Sequence, residues 1–252
     1  MLTDEQKQFY IDNGYLILRE CIPSPEAADL RAELFSIVNK PWAGSTRLGI
    51  LYEKGAKGKD PTNPLGANFV MASPLLGDRW FKLTLDERLV NPIIDLLGPD
   101  INLHDQKIPI KPPGHVSTQR WHQDWAYEKH DRPELAALLL YLDDTAPGAG
   151  ATKLAPRSHK HGPLPHDRPD TLSIEDSLIG DDWIQPEMHA GDALIIHTWL
   201  AHSIGDNTSD TTKAMVAHVY KTQQAVDIHG NTRAMAEMPV ARGGRVVLKA
   251  DW

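Results

Sequence analysis

One cysteine, Cys21, stands in the 252 residues. A lone thiol rules out an internal disulfide framework and suits a reducing compartment. Long apolar runs are missing as well. The longest, Leu135 to Leu142, is far too short to cross a bilayer. The opening residues, MLTDEQKQFY, are polar and hold no apolar h-region, so no signal peptide is expected. There is no Lys/Arg block, and the formal net charge is −8, which argues against a nucleic-acid partner. These absences predict a soluble, cytoplasmic chain with neither membrane nor nucleic acid among its partners. What is present is ordinary: 41% hydrophobic and 24% charged residues allow a sizeable core. The length fits one large β-type domain or two small ones.

The first third reads as helical. Thr3 and Gln6 form a capping box for a helix running to about Asn13, with Gly14 as its stop. YLILRE (15–20) reads as a short strand, and Ser24-Pro25-Glu26 opens a second helix to about Asn39. Residues 42–78 are rich in Gly and Pro, show no period and predict loops of the kind that form functional lids. A third helix is expected over 86–97, before Gly98-Pro99. From residue 101 the pattern changes to short apolar or alternating runs separated by turn residues: INLHDQKIPIK, LAALLLYL, ATKLAP, IQPEMHA, DALIIHTW and KAMVAHVY. Many short strands with such punctuation predict a β-sandwich or barrel, and for this length one domain with helices packed on it is simpler than two.

The chemistry concentrates in QRWHQDWAYEKH (119–130). If Arg120 to Asp124 is extended, His122 and Asp124 share one face and Gln123 points the other way. By itself the pair says little, because about one HxD triplet is expected by chance in a chain this rich in both residues. A histidine and a carboxylate side by side are, however, two thirds of a 2-His-1-carboxylate facial triad, which holds Fe(II) on one face and leaves the rest open. Nine downstream histidines, from His130 to His229, are candidates for the third ligand. Gly191-Asp192 launches a strand, Ala193 to Thr198, and His202 falls just beyond it, at a bend before GDN. Strand ends are where barrel sites tend to sit. A single strand-end histidine is more often solvated or capping than a ligand, and His197 is as readily a core residue. Lys213 opens the next strand eleven residues past His202. It is either a surface lysine or the holder of an anionic cosubstrate. Alternation puts Lys213, Met215, Ala217 and Val219 on one face, expected to point inward.

These segments, in this order, resemble the phytanoyl-CoA dioxygenase family of Fe(II)/2-oxoglutarate oxygenases, which includes the ectoine hydroxylases. The N-terminal helix–strand–helix, IPIKPPG before WHQD, GAGATKLAPRSHKHG and HAGDALIIHTWLAHSIGDNTS carry the likeness over about residues 1–36 and 100–222. The resemblance implies a mainly β fold with flanking helices: a double-stranded β-helix, or jelly roll, with iron at one end. It places His122, Asp124 and His202 as catalytic iron ligands, with 2-oxoglutarate and O2 as cosubstrates. It implies hydroxylation, since halogenating relatives have a small residue where Asp124 stands. It sets Lys213 against the far carboxylate of 2-oxoglutarate, where the family usually has an arginine. Lys is a flexible point charge in place of that planar fork. Lys107 is implied to assist, His159 to be structural, and Arg157 replaces a small residue of the family turn.

Two rivals stand beside this expectation: a cupin-like isomerase or dioxygenase that does not use 2-oxoglutarate, and a non-catalytic small-molecule-binding relative. The carboxylate of Asp124 weighs against the first, whose sites usually hold three or four histidines, and the complete triad weighs against the second. Trp125 and Tyr127 are candidates to wall a substrate pocket or to fill barrel core. Specificity for a small-molecule substrate is expected from 42–78, 159–183 and the tail after 223.

Overall fold

The computed structural model describes all residues except 41–48, 118–119, 167–171, 229–237 and 248–252. Among the described residues, helix α1 (Asp4–Asn13) starts on the expected capping box. Thr3 accepts from the Gln6 backbone while the Gln6 side chain accepts from that of Thr3. Gly14 ends the helix in the left-handed conformation, φ 79°. A side chain there would collide with the ring of His159, 2.4 Å from where a Cβ would sit, so glycine is required twice over. Strand β1 (Tyr15–Leu18) follows, then α2 (Ser24–Val38).

The 42–78 stretch departs from the loop expectation. Although its Gly and Pro content hides any period, it contains β2 (Ile50–Tyr52) and β3 (Ala67–Met71), paired as antiparallel strands, and α3 begins at its end (Asp78–Leu83). Helix α4 (Glu87–Leu97) is capped by Asp86.

The β region holds β4 (Ile101–Lys111), β5 (Leu135–Tyr141), β6 (Thr152–Leu154), β7 (Ala193–His197), β8 (His202–Ile204), β9 (Lys213–Thr222), β10 (Met238–Arg242) and β11 (Arg245–Val246). IQPEMHA forms only isolated bridges, Ile184 to Leu154 and Met188 to Thr145, because its prolyl and polar residues break any ladder. The large sheet runs β1-β7-β5-β9-β4-β10-β11, with β3 on the remaining edge of β4 and β2 beyond it. A small sheet, β6-β8, lies opposite.

Alternation sorts the large sheet into two faces. Leu138, Leu140, Ile195 and Val216 pack with Leu30, Leu34, Leu89 and Ile93 of the helices. Leu135, Ala137, Leu194, Ile196, Met215 and Val219 face the barrel interior with Leu154 of the small sheet. This is the jelly roll that the family resemblance implies, with flanking helices on its outer face. No helix among the described residues is long and apolar enough to cross a membrane.

Candidate metal centre

His122 and His202 are cross-strand neighbours. Each backbone N–H donates to the other's carbonyl at 2.9 Å, closing a two-bond bridge. His202 therefore opens strand β8, where the sequence suggested a bend. His122 belongs to no named strand, and the chain turns immediately after it into the 3₁₀ turn Asp124–Ala126. Gln123 between them is extended (φ −108°, ψ 139°), so His122 and Asp124 still share a side. Gln123 points away and is fully buried. Its Nε2 donates to the carbonyls of Gly162 and Trp199, and its Oε1 accepts from the Leu164 amide.

Both imidazoles are oriented by the carbonyl two residues back. Nδ1–H of His122 donates to Arg120 at 2.8 Å, and that of His202 donates to Leu200 at 3.0 Å. With Nδ1 protonated, each Nε2 presents a lone pair to the centre. Those nitrogens lie 3.9 Å and 3.6 Å from Oδ1 of Asp124, and the three ligand atoms all fall within 4.8 Å of one another. Burial and the neighbouring His202 push the His122 ring well below its ordinary pKa, so it is neutral and ready to coordinate. Two imidazole nitrogens and one carboxylate on one side fit Fe(II), with the other positions left open.

The triad opens into a cavity of about 540 Å³, its mouth included. Its walls are mostly apolar (Phe69, Leu139, Ile196, Met215), with Lys107 and Thr152 as further polar side chains. Met215, Ala217 and Val219 face inward as alternation predicts. Lys213, half-buried, lines a smaller adjoining cavity with Lys111, Tyr141 and Thr145, and Pro109 and Met215 wall both. Lys107 is held at the metal end, 3.1 Å from Asp105.

Lys111 is the residue that sequence reasoning left without a role. It lies directly opposite Lys213 in the β4–β9 register and is almost wholly buried, and its ammonium donates to the Gly150 carbonyl. Burial pushes it down to about 7. Lys111 ends β4 and Lys213 opens β9, but neither the pairing of these strands nor its register was readable from the chain.

Other sequence candidates lie elsewhere. His197 faces the outer side, where its Nδ1 accepts from the Trp199 amide. His159 donates to the Ile11 carbonyl, which supports the structural reading. His130 packs edge-on against His104, His166 accepts from the Gln123 amide, and His229 lies outside the described residues. Tyr127 packs edge-on against the His122 ring, while Trp125 sits under the Lys129 ammonium. Neither lines the cavity, whose aromatic wall is Phe69. Parts of the three stretches expected to set specificity (41–48, 167–171, 229–237 and 248–252) lie outside the described residues.

Known proteins resemble this arrangement. The chain is 29% identical over 180 residues to a probable alpha-ketoglutarate-dependent hypophosphite dioxygenase of Stutzerimonas stutzeri, covering 71% of this chain and 61% of that protein. It is 25% identical over 248 residues to an ectoine dioxygenase of Bordetella parapertussis, covering 88% and 76%. Among solved structures, EctD from S. alaskensis with 2-oxoglutarate and 5-hydroxyectoine superposes with a TM-score of 0.77 at 17% identity, covering 98% of this chain and 87% of that one. The family model for phytanoyl-CoA dioxygenase (PhyH) matches residues 10–215, most of the chain. With that match spanning both the helical layer and the barrel that carries the triad, the chain belongs to the phytanoyl-CoA dioxygenase family.

Proposed function

We propose that this protein is an Fe(II)- and 2-oxoglutarate-dependent dioxygenase that oxidises an unactivated C–H bond of a small molecule. One observation carries the reading: a His122–Asp124–His202 triad opens into a cavity that adjoins a second one walled by a cross-strand lysine pair. His122, Asp124 and His202 would hold the metal. When bound, iron supplies the oxidising chemistry, in which substrate, 2-oxoglutarate and O2 become hydroxylated substrate, succinate and CO2.

The chain's own share is binding, orientation and exclusion of water. Lys213 neutralises the far carboxylate of 2-oxoglutarate, and Lys111, opposite it, adds a second donor. Two like charges on one face of an antiparallel pair repel unless an anion lies between them. That is a reason for an anion there that does not depend on the relatives. Tyr141, which lines the cavity of the two lysines, is bonded at 2.9 Å to Thr152, which lines that of the triad. Lys107 keeps positive charge at the metal end. The apolar walls shed water from the reacting centre, which strengthens each of these charge contacts. The relatives are named for hypophosphite and ectoine, which supports a small-molecule substrate here.

The Asp124 carboxylate fills the position a chloride would need, so the product is oxygenated and not chlorinated. Succinate release from 2-oxoglutarate with Fe(II), measured over a panel of small metabolites, tests the reading. Stimulation of succinate by a panel member, with a matching +16 Da product in chloride buffer, is the expected outcome. Iron-dependent turnover without succinate would refute 2-oxoglutarate as cosubstrate, and a chlorinated product would refute the outcome assigned to Asp124.

A further inference from the structure

Asp124 is the ligand carried on a turn, and that turn has no side-chain cap. What holds it lies on both flanks. Gln123 is the anchor on one side. On the other, the Glu128 amide donates to the Asp124 carbonyl at 2.9 Å. The Glu128 carboxylate, 2% exposed, receives Nε2–H of His104 at 2.6 Å, and His104 itself is 1% exposed. The His130 ring lies edge-on against His104 at 4.6 Å, while its Nδ1–H donates to the Glu128 carbonyl at 2.6 Å.

His104 can reach Glu128 because β4 bulges there. The β4–β9 register runs Leu103↔Tyr220 and then Asp105↔Val219, which leaves His104 without an opposite residue. In a regular strand 103 and 105 would share a face. With the extra residue, Leu103 packs into the helix-side core while Asp105 pairs inward with Lys107. Bulges commonly re-aim side chains beside functional sites. This one brings His104 to the metal-bearing turn, while the next residue, Asp105, holds Lys107. Burial alone would lower the Lys107 ammonium, but the carboxylates of Asp105, Asp124 and Glu128 hold it above its ordinary value, so Glu128 is close enough to be felt at the centre.

We propose that Glu128, gripped by His104 at the β4 bulge, is a positioning residue that fixes Asp124 in the orientation the metal requires. This rests on the metal reading given above. Glu128 and His104 are buried away from the cavity, so neither is a catalytic residue. Removing a group of this kind behind a ligand typically costs roughly 10- to 100-fold in metal affinity.

The test is metal titration of the full chain at a temperature where circular dichroism shows it folded. Fe(II) is titrated anaerobically, and Co(II) in parallel, because its visible absorption reports ligand geometry without turnover. Glu128→Ala and His104→Ala are each expected to weaken metal binding about 10- to 100-fold and to alter the Co(II) spectrum. The double variant should be no weaker than either single one, since a single contact is removed in every case. If the alanine variants do not fold, His104→Phe (shape kept, donor lost) and His104→Gln (donor kept) decide: Phe should lose affinity and Gln should retain it. Folded alanine variants within about twofold of wild type, or Phe and Gln variants of equal affinity, overturn the proposal. His122→Ala serves as the control. If it also binds metal normally, the metal reading itself has failed, and not this refinement of it.

Discussion

Lys107 and Lys111 lie four residues apart on the inner face of β4, and their surroundings are opposite. Lys107 is 3.1 Å from Asp105, and the charges of Asp105, Asp124 and Glu128 hold its ammonium above the ordinary lysine value despite burial. Lys111 is the more deeply buried of the two, donates to the Gly150 carbonyl, and is pushed down to about 7 by desolvation alone. The same residue type on the same strand thus marks a saturated end and a hungry end. At the Lys107 end the protein supplies its own anions. At the Lys111 end the residue directly opposite is another lysine, Lys213, in place of an anion. Asp143, a carboxylate that feels the Lys213 charge, is already bound to Arg31 at 2.7 Å and accepts from the Ala214 amide. On the function proposed above, the Lys111–Lys213 end would take the dicarboxylate's far group and the Lys107 end would order the metal ligand.

The largest effects should come from the metal itself. Alanine at His122, Asp124 or His202 is expected to abolish Fe(II) binding by calorimetry and to abolish turnover, because each would supply one of the three proposed ligands. His197→Ala should keep full iron occupancy, since His197 faces the other side of the sheet. A variant that reversed this order would move the site.

The next effect breaks the hungry end. Lys213→Ala removes a charge-assisted contact worth roughly 1.5–3 kcal/mol, so the 2-oxoglutarate Kd should rise about ten- to a hundredfold. Fe(II) binding should stay nearly intact. Lys107→Met should instead disturb the metal end and move the 2-oxoglutarate Kd less. Equal effects of the two lysines on that Kd would erase the distinction between the ends.

The pH dependence sharpens the same comparison. Lys111 has a folded pKa of about 7 against about 10.4 in an unfolded chain. The unfolded chain therefore binds more protons across this window. The penalty on folding is full below pH 7 and is relieved as pH rises towards 10, so unfolding midpoints should climb over that range. A bound anion restores the ammonium, so 2-oxoglutarate binding takes up a proton above pH 7. Its affinity should fall by up to about tenfold per pH unit from there. Lys111→Met should flatten both slopes. Calorimetric titrations from pH 6.5 to 9 decide the matter, and a slope that survives in Lys111→Met would exclude this lysine as its source.

How much of this was legible from the chain differs by residue. His122 and Asp124 sharing a face follows from i,i+2 spacing, and that geometry survives although the segment is a bridge and a turn. His202 needed the family likeness, because periodicity alone could not choose among nine histidines. Nothing local encodes the His122–His202 backbone bridge that brings the two together. The inward face of β9 was readable from alternation, and α1 from its capping box. Lys111 was not readable, since its meaning lies in burial and in a register that pairs it with Lys213. Nor was the bulge at His104: one extra residue in an eleven-residue strand leaves no mark on the hydrophobic pattern. β2 and β3 were hidden by the Gly and Pro residues around them.

The smallest expected effect lies outside both ends and serves as their control. Arg157 stands where the family turn usually has a small residue, and its backbone sits at φ 70°, ψ −6°, in the left-handed region. That conformation costs a non-glycine residue roughly 1–2 kcal/mol. It persists because the Arg157 amide donates to the Asn13 carbonyl at 3.0 Å, docking the following turn, with His159, onto the end of α1. Arg157→Gly keeps that amide and relieves the strain, but it also loosens the unfolded chain by about 0.4–1 kcal/mol. The net gain is therefore expected to be small, up to about 1 kcal/mol, seen as a higher midpoint in chemical denaturation. Metal affinity, the 2-oxoglutarate Kd and its pH slope should all be unchanged. A change in any of the three would show that the α1 junction reports to the cleft, and the two ends could no longer be treated as self-contained.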